Sequence, residues 1–243
     1  MADPGENQSL LVRALDVFGN LFILNLLFVL TSIPIITIGA SLAALYSVTL
    51  KMVRREEGAV VKSYFAAWKA NFKQATLSWL AVFVVLVIMA GEFLYATNFS
   101  GGLSSMYLVV IGIEAAVLVC VIPFLFPLIA RYENTFTGTF KNAFLLTVGN
   151  LWDTIKIVLL WGVPIGIVAL HPGIFYMTWY LWLVVLFALI AWLSSFTIRR
   201  VFEKVSGGAE NKAEPITGAD ADVAADSTVE VITESSPDSH SEE

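Results

Sequence analysis

From Val17 to Leu50 the chain carries no charged side chain, a run of 34 residues reading "VFGNLFILNLLFVLTSIPIITIGASLAALYSVTL". About 20 apolar residues already cross the ~30 Å hydrocarbon core of a bilayer, so this one run constrains the chain to a membrane. Four further charge-poor regions follow: Ala75 to about Asn98, Leu103 to Ala130, Ile157 to Leu170 (extended by Leu151 to Ile155), and Ile174 to Ile198. Only 14% of the residues are charged, against ~25% in soluble domains. In lipid each spanning segment must satisfy its own backbone polar groups, which long apolar runs do as helices. The expected fold is all-α, a polytopic membrane helix bundle.

Two polar connectors, Lys51 to Gln74 and Arg131 to Lys156, separate the apolar regions. The first holds Lys51, Arg54, Arg55, Lys62, Lys69 and Lys73, and the second holds Arg131, Lys141 and Lys156. Arg199, Arg200 and Lys204 follow the last apolar region, whereas the links at 97–105 and 171–173 contain no Lys or Arg. The positive-inside rule places the three basic groups in the cytoplasm and the two uncharged links outside.

The first run is too long for one crossing. Thirty-four helical residues would extend about 50 Å, and tilt absorbs only part of such a mismatch. Pro34 biases Ile33 away from the helical region, and Gly39 has the freedom a turn requires. Two short crossings with an outer turn at Pro34 to Gly39 give six transmembrane helices and two cytoplasmic termini. The alternative is five: one crossing plus a re-entrant or interfacial piece, with the N-terminus outside.

Both connectors carry amphipathic patterns. Tyr64, Phe65, Trp68, Phe72, Ala75 and Trp79 recur largely at three- and four-residue spacing, with Lys62, Lys69 and Lys73 on much of the other face. In the second, Phe140, Phe144, Leu145 and Val148 share a face, and Thr137 or Thr139 starts the helix. Both read as helices lying at the cytoplasmic interface. The expected domains are a short cytoplasmic N-terminus (1–16), a membrane domain (17–204) and an acidic tail (205–243). From Val205 onward there are ten Asp or Glu and one Lys, with no aromatic residue, a composition that favours disorder.

Candidate site residues are few. Glu114 lies midway along its apolar region, where a carboxylate costs ~2.5–3.5 kcal/mol on the insertion scale, so it is expected to face the bundle interior. Asn25, at similar depth in the first span, is the expected partner, through a hydrogen bond of roughly 0.6–2 kcal/mol. Asn20 lies nearer the inner interface, and Glu92 near the outer end of its span. Each has a packing interpretation beside its functional one. One cysteine (Cys120) and two histidines (His171 and His240) offer no metal cluster, and no cofactor is expected.

"FGNLFILNLLFVLTSIPIITIGASLAALYSVTLKMVRREEG", followed by "YFAAWKANFKQAT", resembles the YesL-like family of bacterial integral membrane proteins, a domain of unknown function. The Asn-bearing first span, the "PIITIGA" turn, the small-residue "AALY" helix, the basic "RREEG" loop and the aromatic connector carry the likeness. It covers Phe18 to Thr76 strongly and the remainder, to about Lys204, by layout. Such proteins are commonly encoded beside carbohydrate-uptake and glycan-degradation genes. The resemblance therefore implies a role in sugar utilisation at a bacterial cell membrane, and brings no catalytic residues with it.

Three function classes follow. The first is an accessory or regulatory component of sugar uptake, with a sugar ABC importer or another permease as partner. The second is a small transporter or channel using a polar core around Glu114 and Asn25, with self-association closing the cavity. The third, a membrane enzyme, lacks the clustered nucleophiles, acid–base pairs or metal ligands it needs, so no enzyme is expected. No nucleic-acid partner is expected; the bilayer itself is one.

Overall fold

The computed structural model describes residues 10–56, 58–98 and 102–213. The helices are α1 (Leu10–Ser32), α2 (Ile38–Arg54), α3 (Val60–Asn98), α4 (Gly102–Arg131), α5 (Phe136–Gly149), α6 (Leu151–Leu170), α7 (Pro172–Leu181) and α8 (Phe187–Ala213). A 3-10 turn at Ile35–Thr37 precedes α2, and a π turn at Trp182–Leu186 joins α7 to α8. No strand occurs among the described residues. Six helical stretches are long and apolar enough to cross a membrane: Val12–Ser32, Ile35–Arg54, Val60–Asn98, Ser104–Arg131, Leu151–Leu170 and Pro172–Ser206.

The chain divides into two compact units at Val201. Of the second, the described part is the last turns of α8 up to Ala213, which pass the Val205 boundary expected for the tail. The remainder of the tail, 214–243, and residues 1–9 of the N-terminal segment lie outside the described residues. So do residues 99–101 of the uncharged link.

Within the first unit α2 forms the centre. It packs along α3 and against α4, and its small residues Gly39, Ala40, Ser41, Ala43 and Ala44 are all buried. Small side chains let membrane helices approach closely where no hydrophobic driving force separates helix from lipid. α2 ends at Arg55, whose positive φ of 60° reverses the chain, while the Glu56 amide donates to Lys51 O at 3.0 Å. α3 then runs back antiparallel to α2.

The first connector is not a separate interfacial helix. Val60–Asn98 is one 39-residue helix, about 58 Å long. No Gly or Pro falls between Val60 and Met89, so nothing stops propagation where the charge pattern changes at Ala75. Tyr64 is buried while Lys62, Lys69 and Lys73 are exposed, so the amphipathic pattern serves packing against the bundle.

The second connector does form its own helix, α5, capped by Thr135, ahead of the expected Thr137 or Thr139. Thr135 Oγ1 accepts from Gly138 N at 3.2 Å, as a Thr at this position does for an open helix end. Its two faces are distinct. Thr139, Ala143 and Thr147 point inward, whereas Phe144, Leu145 and Val148 are exposed. Small residues pack helix on helix and large apolar ones are left to the surroundings, the arrangement a lipid environment favours.

The turn at Pro34 differs in construction from the expectation. Pro34 is extended (φ −75°, ψ 116°), and Thr37 Oγ1 donates to Thr31 O (2.6 Å) and Pro34 O (2.8 Å). Gly39 lies in the first turn of α2. A Cβ there would stand 2.2 Å from Ala75 O and 2.5 Å from Trp79 Cβ, so its hydrogen serves close approach rather than turning. Trp79 Nε1 donates to Ile35 O at 2.7 Å, which fixes the turn at the level of Trp79. Asn98 is 19 residues further along α3, about 29 Å. The turn and the far end of α3 therefore lie at different levels along α3. With Cys120 replaced by Ala, a membrane-impermeant maleimide that labels Asn98→Cys is expected to leave Ile36→Cys unlabelled from the same side. Equal labelling would refute the placement.

Candidate functional site

Asn25 lies on the inward face of α1 with Leu21, Leu24 and Phe28, and is 0% exposed. Its Nδ2 donates to Trp182 O (3.0 Å) and Leu183 O (2.7 Å). Its Oδ1 accepts from Ala188 N at 3.0 Å. These three groups flank the π turn, where the regular helical ladder is interrupted. The side-chain amide enters that gap as an extra peptide unit would. Phe28 and Phe187 stack beside it, ring centroids 5.2 Å apart.

Glu114 is therefore not the partner of Asn25, whose donors are both occupied. It sits half-buried on α4, and its Oε2 has no hydrogen-bond partner among the described residues. Glu92, half-buried near the end of α3, is in the same condition. Asn20 is half-buried on α1, and no hydrogen bond joins it to Asn25 or Glu114. The four polar candidates do not converge on one cavity.

Two polar clusters were not singled out from the sequence. At the start of α2, Thr31 Oγ1 lies 2.6 Å from Tyr64 Oη and accepts from Ser41 Oγ at 2.8 Å, tying α1, α2 and α3 together. Deeper in the core, Thr49 Oγ1 and Ser195 Oγ are 2.8 Å apart and join α2 to α8. Hydroxyls inside apolar runs were the available signal, since a buried hydroxyl is costly unless hydrogen-bonded. At the basic end Arg199 Nη1 donates to Val53 O at 3.1 Å. Gln74 Nε2 bonds Asn134 O (2.9 Å) and Thr139 Oγ1 (2.8 Å), fastening α3 to the second connector.

A partly open cavity of about 340 Å³ lies between α2, α4 and α6. Leu42 and Tyr46 line it from α2, Leu118 and Phe126 from α4, and Trp161 and Gly162 from α6. Its wall is almost wholly carbon. Trp161 Nε1 donates to Tyr46 Oη at 3.0 Å, which removes the indole donor from the cavity. Glu114 stops one helical turn short of Leu118 and does not line it.

Residues 21–93 match a family model. Its description is "Protein of unknown function, DUF624". No curated protein and no solved structure matches the chain. The matched stretch takes in most of α1, the Pro34 turn, α2 and α3 up to Phe93. It holds Asn25, Gly39, Tyr46 and Tyr64. The backbone that receives Asn25, and the Trp161 that meets Tyr46, lie beyond it. No group of three or more His, Cys, Asp or Glu placed to hold a metal ion occurs among the described residues.

Proposed function

We propose that the chain is a non-enzymatic accessory or regulatory component of a bacterial carbohydrate-uptake system, set in the cell membrane beside a permease. The observation that supports this reading is the commitment of Asn25 to the π turn beside a carbon-lined cavity. A transporter acting alone needs a polar path at mid-depth, and the expected one was Asn25 with Glu114. Asn25 is instead committed to the π turn, and the cavity between α2, α4 and α6 is lined by carbon. The link to carbohydrate rests on the resemblance of Phe18 to Thr76 to YesL-like proteins. The basic connectors, with Arg199 and Arg200, put the C-terminus in the cytoplasm by the positive-inside rule.

The exposed face of α5, Phe144, Leu145 and Val148, offers a flank for a permease subunit. The test is uptake of labelled oligosaccharides by cells lacking the protein. Uptake is expected to fall, to be restored equally by the parent chain and by Glu114→Gln, and to remain low with Phe144, Leu145 and Val148 changed to Ser. Loss of rescue by Glu114→Gln alone would favour transport by the chain itself, and unchanged uptake in the deletion would remove both readings.

The second reading of the topology is the five-crossing alternative, in which the first run makes one crossing plus a re-entrant or interfacial piece and the N-terminus lies outside. A protease-accessible tag at residue 2 in intact cells supports it; a protected tag supports two cytoplasmic termini.

A further inference from the structure

We propose that the cavity between α2, α4 and α6 holds one acyl chain of an anionic phospholipid, with the headgroup at the basic end of the bundle. The cavity, about 340 Å³ and partly open, lies between helices long and apolar enough to cross a membrane. Dry apolar cavities of ~150 Å³ already take up benzene, so this one is large enough for a length of hydrocarbon. In a bilayer the hydrocarbon at hand is lipid. Its lining presents no free polar group to hold a sugar, because the Tyr46 hydroxyl and the Trp161 indole face each other.

Charge supplies the headgroup. On α6 the lining begins at Ile157, immediately after Lys156. On α4 it reaches Phe126, and Arg131 follows five residues later, about 7.5 Å along the helix. Along α4 and α6 the two cations follow the same end of the lining. Asp153, paired with Lys156 at 2.8 Å, and Glu133 are the carboxylates nearest in sequence, and the Arg131 guanidinium lies 5.5 Å from the Tyr132 ring centre. Lys and Arg at the membrane surface draw anionic lipid selectively. A chain lying between Leu118 and Phe126 with its phosphate near Lys156 fits both features, and a neutral lipid fits only the first.

Gly162 supplies a means of blocking the site. A Cβ built there meets nothing within 4 Å, so a larger side chain adds bulk at the cavity lining with no close contact at its first carbon. Gly166 is equally open but does not line the cavity, which makes it the matched control. The full chain would be reconstituted in phosphatidylcholine vesicles containing a trace of phosphatidylglycerol or phosphatidylcholine with a photoreactive acyl chain, and adducts mapped by mass spectrometry. Phosphatidylglycerol is expected to label 118–126 and 157–165 about fivefold more than phosphatidylcholine, the contribution of one cation at an anionic surface. Gly162→Leu is expected to remove most of that labelling, Gly166→Leu to leave it, and Lys156→Gln to bring the two lipids towards parity. Equal labelling by the two lipids, or labelling that survives Gly162→Leu, would overturn the proposal. The readout is independent of sugar uptake, so the two proposals fail separately.

Discussion

Gly39→Ala is expected to lower the melting temperature of the detergent-solubilised protein by about 6–12 °C, corresponding to roughly 3 kcal/mol for a chain of this size. The added methyl would have its carbon 2.2 Å from Ala75 O and 2.5 Å from Trp79 Cβ. Neither obstacle is the free end of a flexible side chain. One is a helix carbonyl, and the other is the first carbon of a tryptophan whose indole already bonds Ile35 O. Relief requires α2 and α3 to separate along their tightest contact. Overpacking of a filled core costs about 1–3 kcal/mol and occasionally more, and this site belongs at the upper end. Gly39→Leu is expected to leave little folded protein. The control is Gly162→Ala, which meets open space and gains up to about 1 kcal/mol of helix propensity. Equal melting temperatures for Gly39→Ala and the parent would mean that α2 and α3 are not held at this distance.

Asn25→Leu comes next in size. It removes both donors and the acceptor from a fully buried position and strands Trp182 O, Leu183 O and the Ala188 amide together. Single hydrogen bonds between membrane helices contribute only about 0.6–1.7 kcal/mol, but buried groups left without partners each cost about 1–3 kcal/mol. The combined loss is expected to be roughly 2–4 kcal/mol. Asn25→Asp should be worse, since an ionised carboxylate donates nothing and would face two carbonyls. Asn20→Leu, on the same helix but only half-buried, is the comparison and should be near neutral. Thermal unfolding followed by size-exclusion ranks the three. If Asn20→Leu proves as damaging as Asn25→Leu, the clasp is not what holds α1.

The helices themselves were legible in the sequence, because a crossing needs a length of uncharged chain and charge is visible residue by residue. The need for Asn25 to find a partner was legible too, since an amide in hydrocarbon is expensive alone. Which partner was not. Its acceptors are main-chain carbonyls in "WLVVLFA", and nothing in those side chains announces a π turn. Glu114 was the visible polar residue at similar depth, so pairing by side-chain chemistry chose wrongly.

The boundary at Ala75 failed for a different reason. Charge marks where a helix leaves lipid and says nothing about where its hydrogen-bond ladder ends, which here is at Val60 on one side and Asn98 on the other. For α5 the aromatic stripe marked the face turned to the interface, and the threonine–alanine stripe that packs on the opposite side carried no apolar signal to find it by. Gly39 was identified as important, but for its backbone freedom. Its lack of a side chain is what the structure uses.

The bond from Asn25 to Leu183 joins residues 158 apart in the chain, and this imposes an order on biosynthesis. α1 leaves the ribosome before the segment containing residues 182–188, so its amide lacks these partners until that segment has been made and inserted. Until then the nascent protein carries an open polar group in α1. A chain truncated before Trp182 keeps the whole stretch matched by the family model and still lacks the receiver for Asn25. The last helices act, in that sense, as the receipt that the first one has been correctly installed.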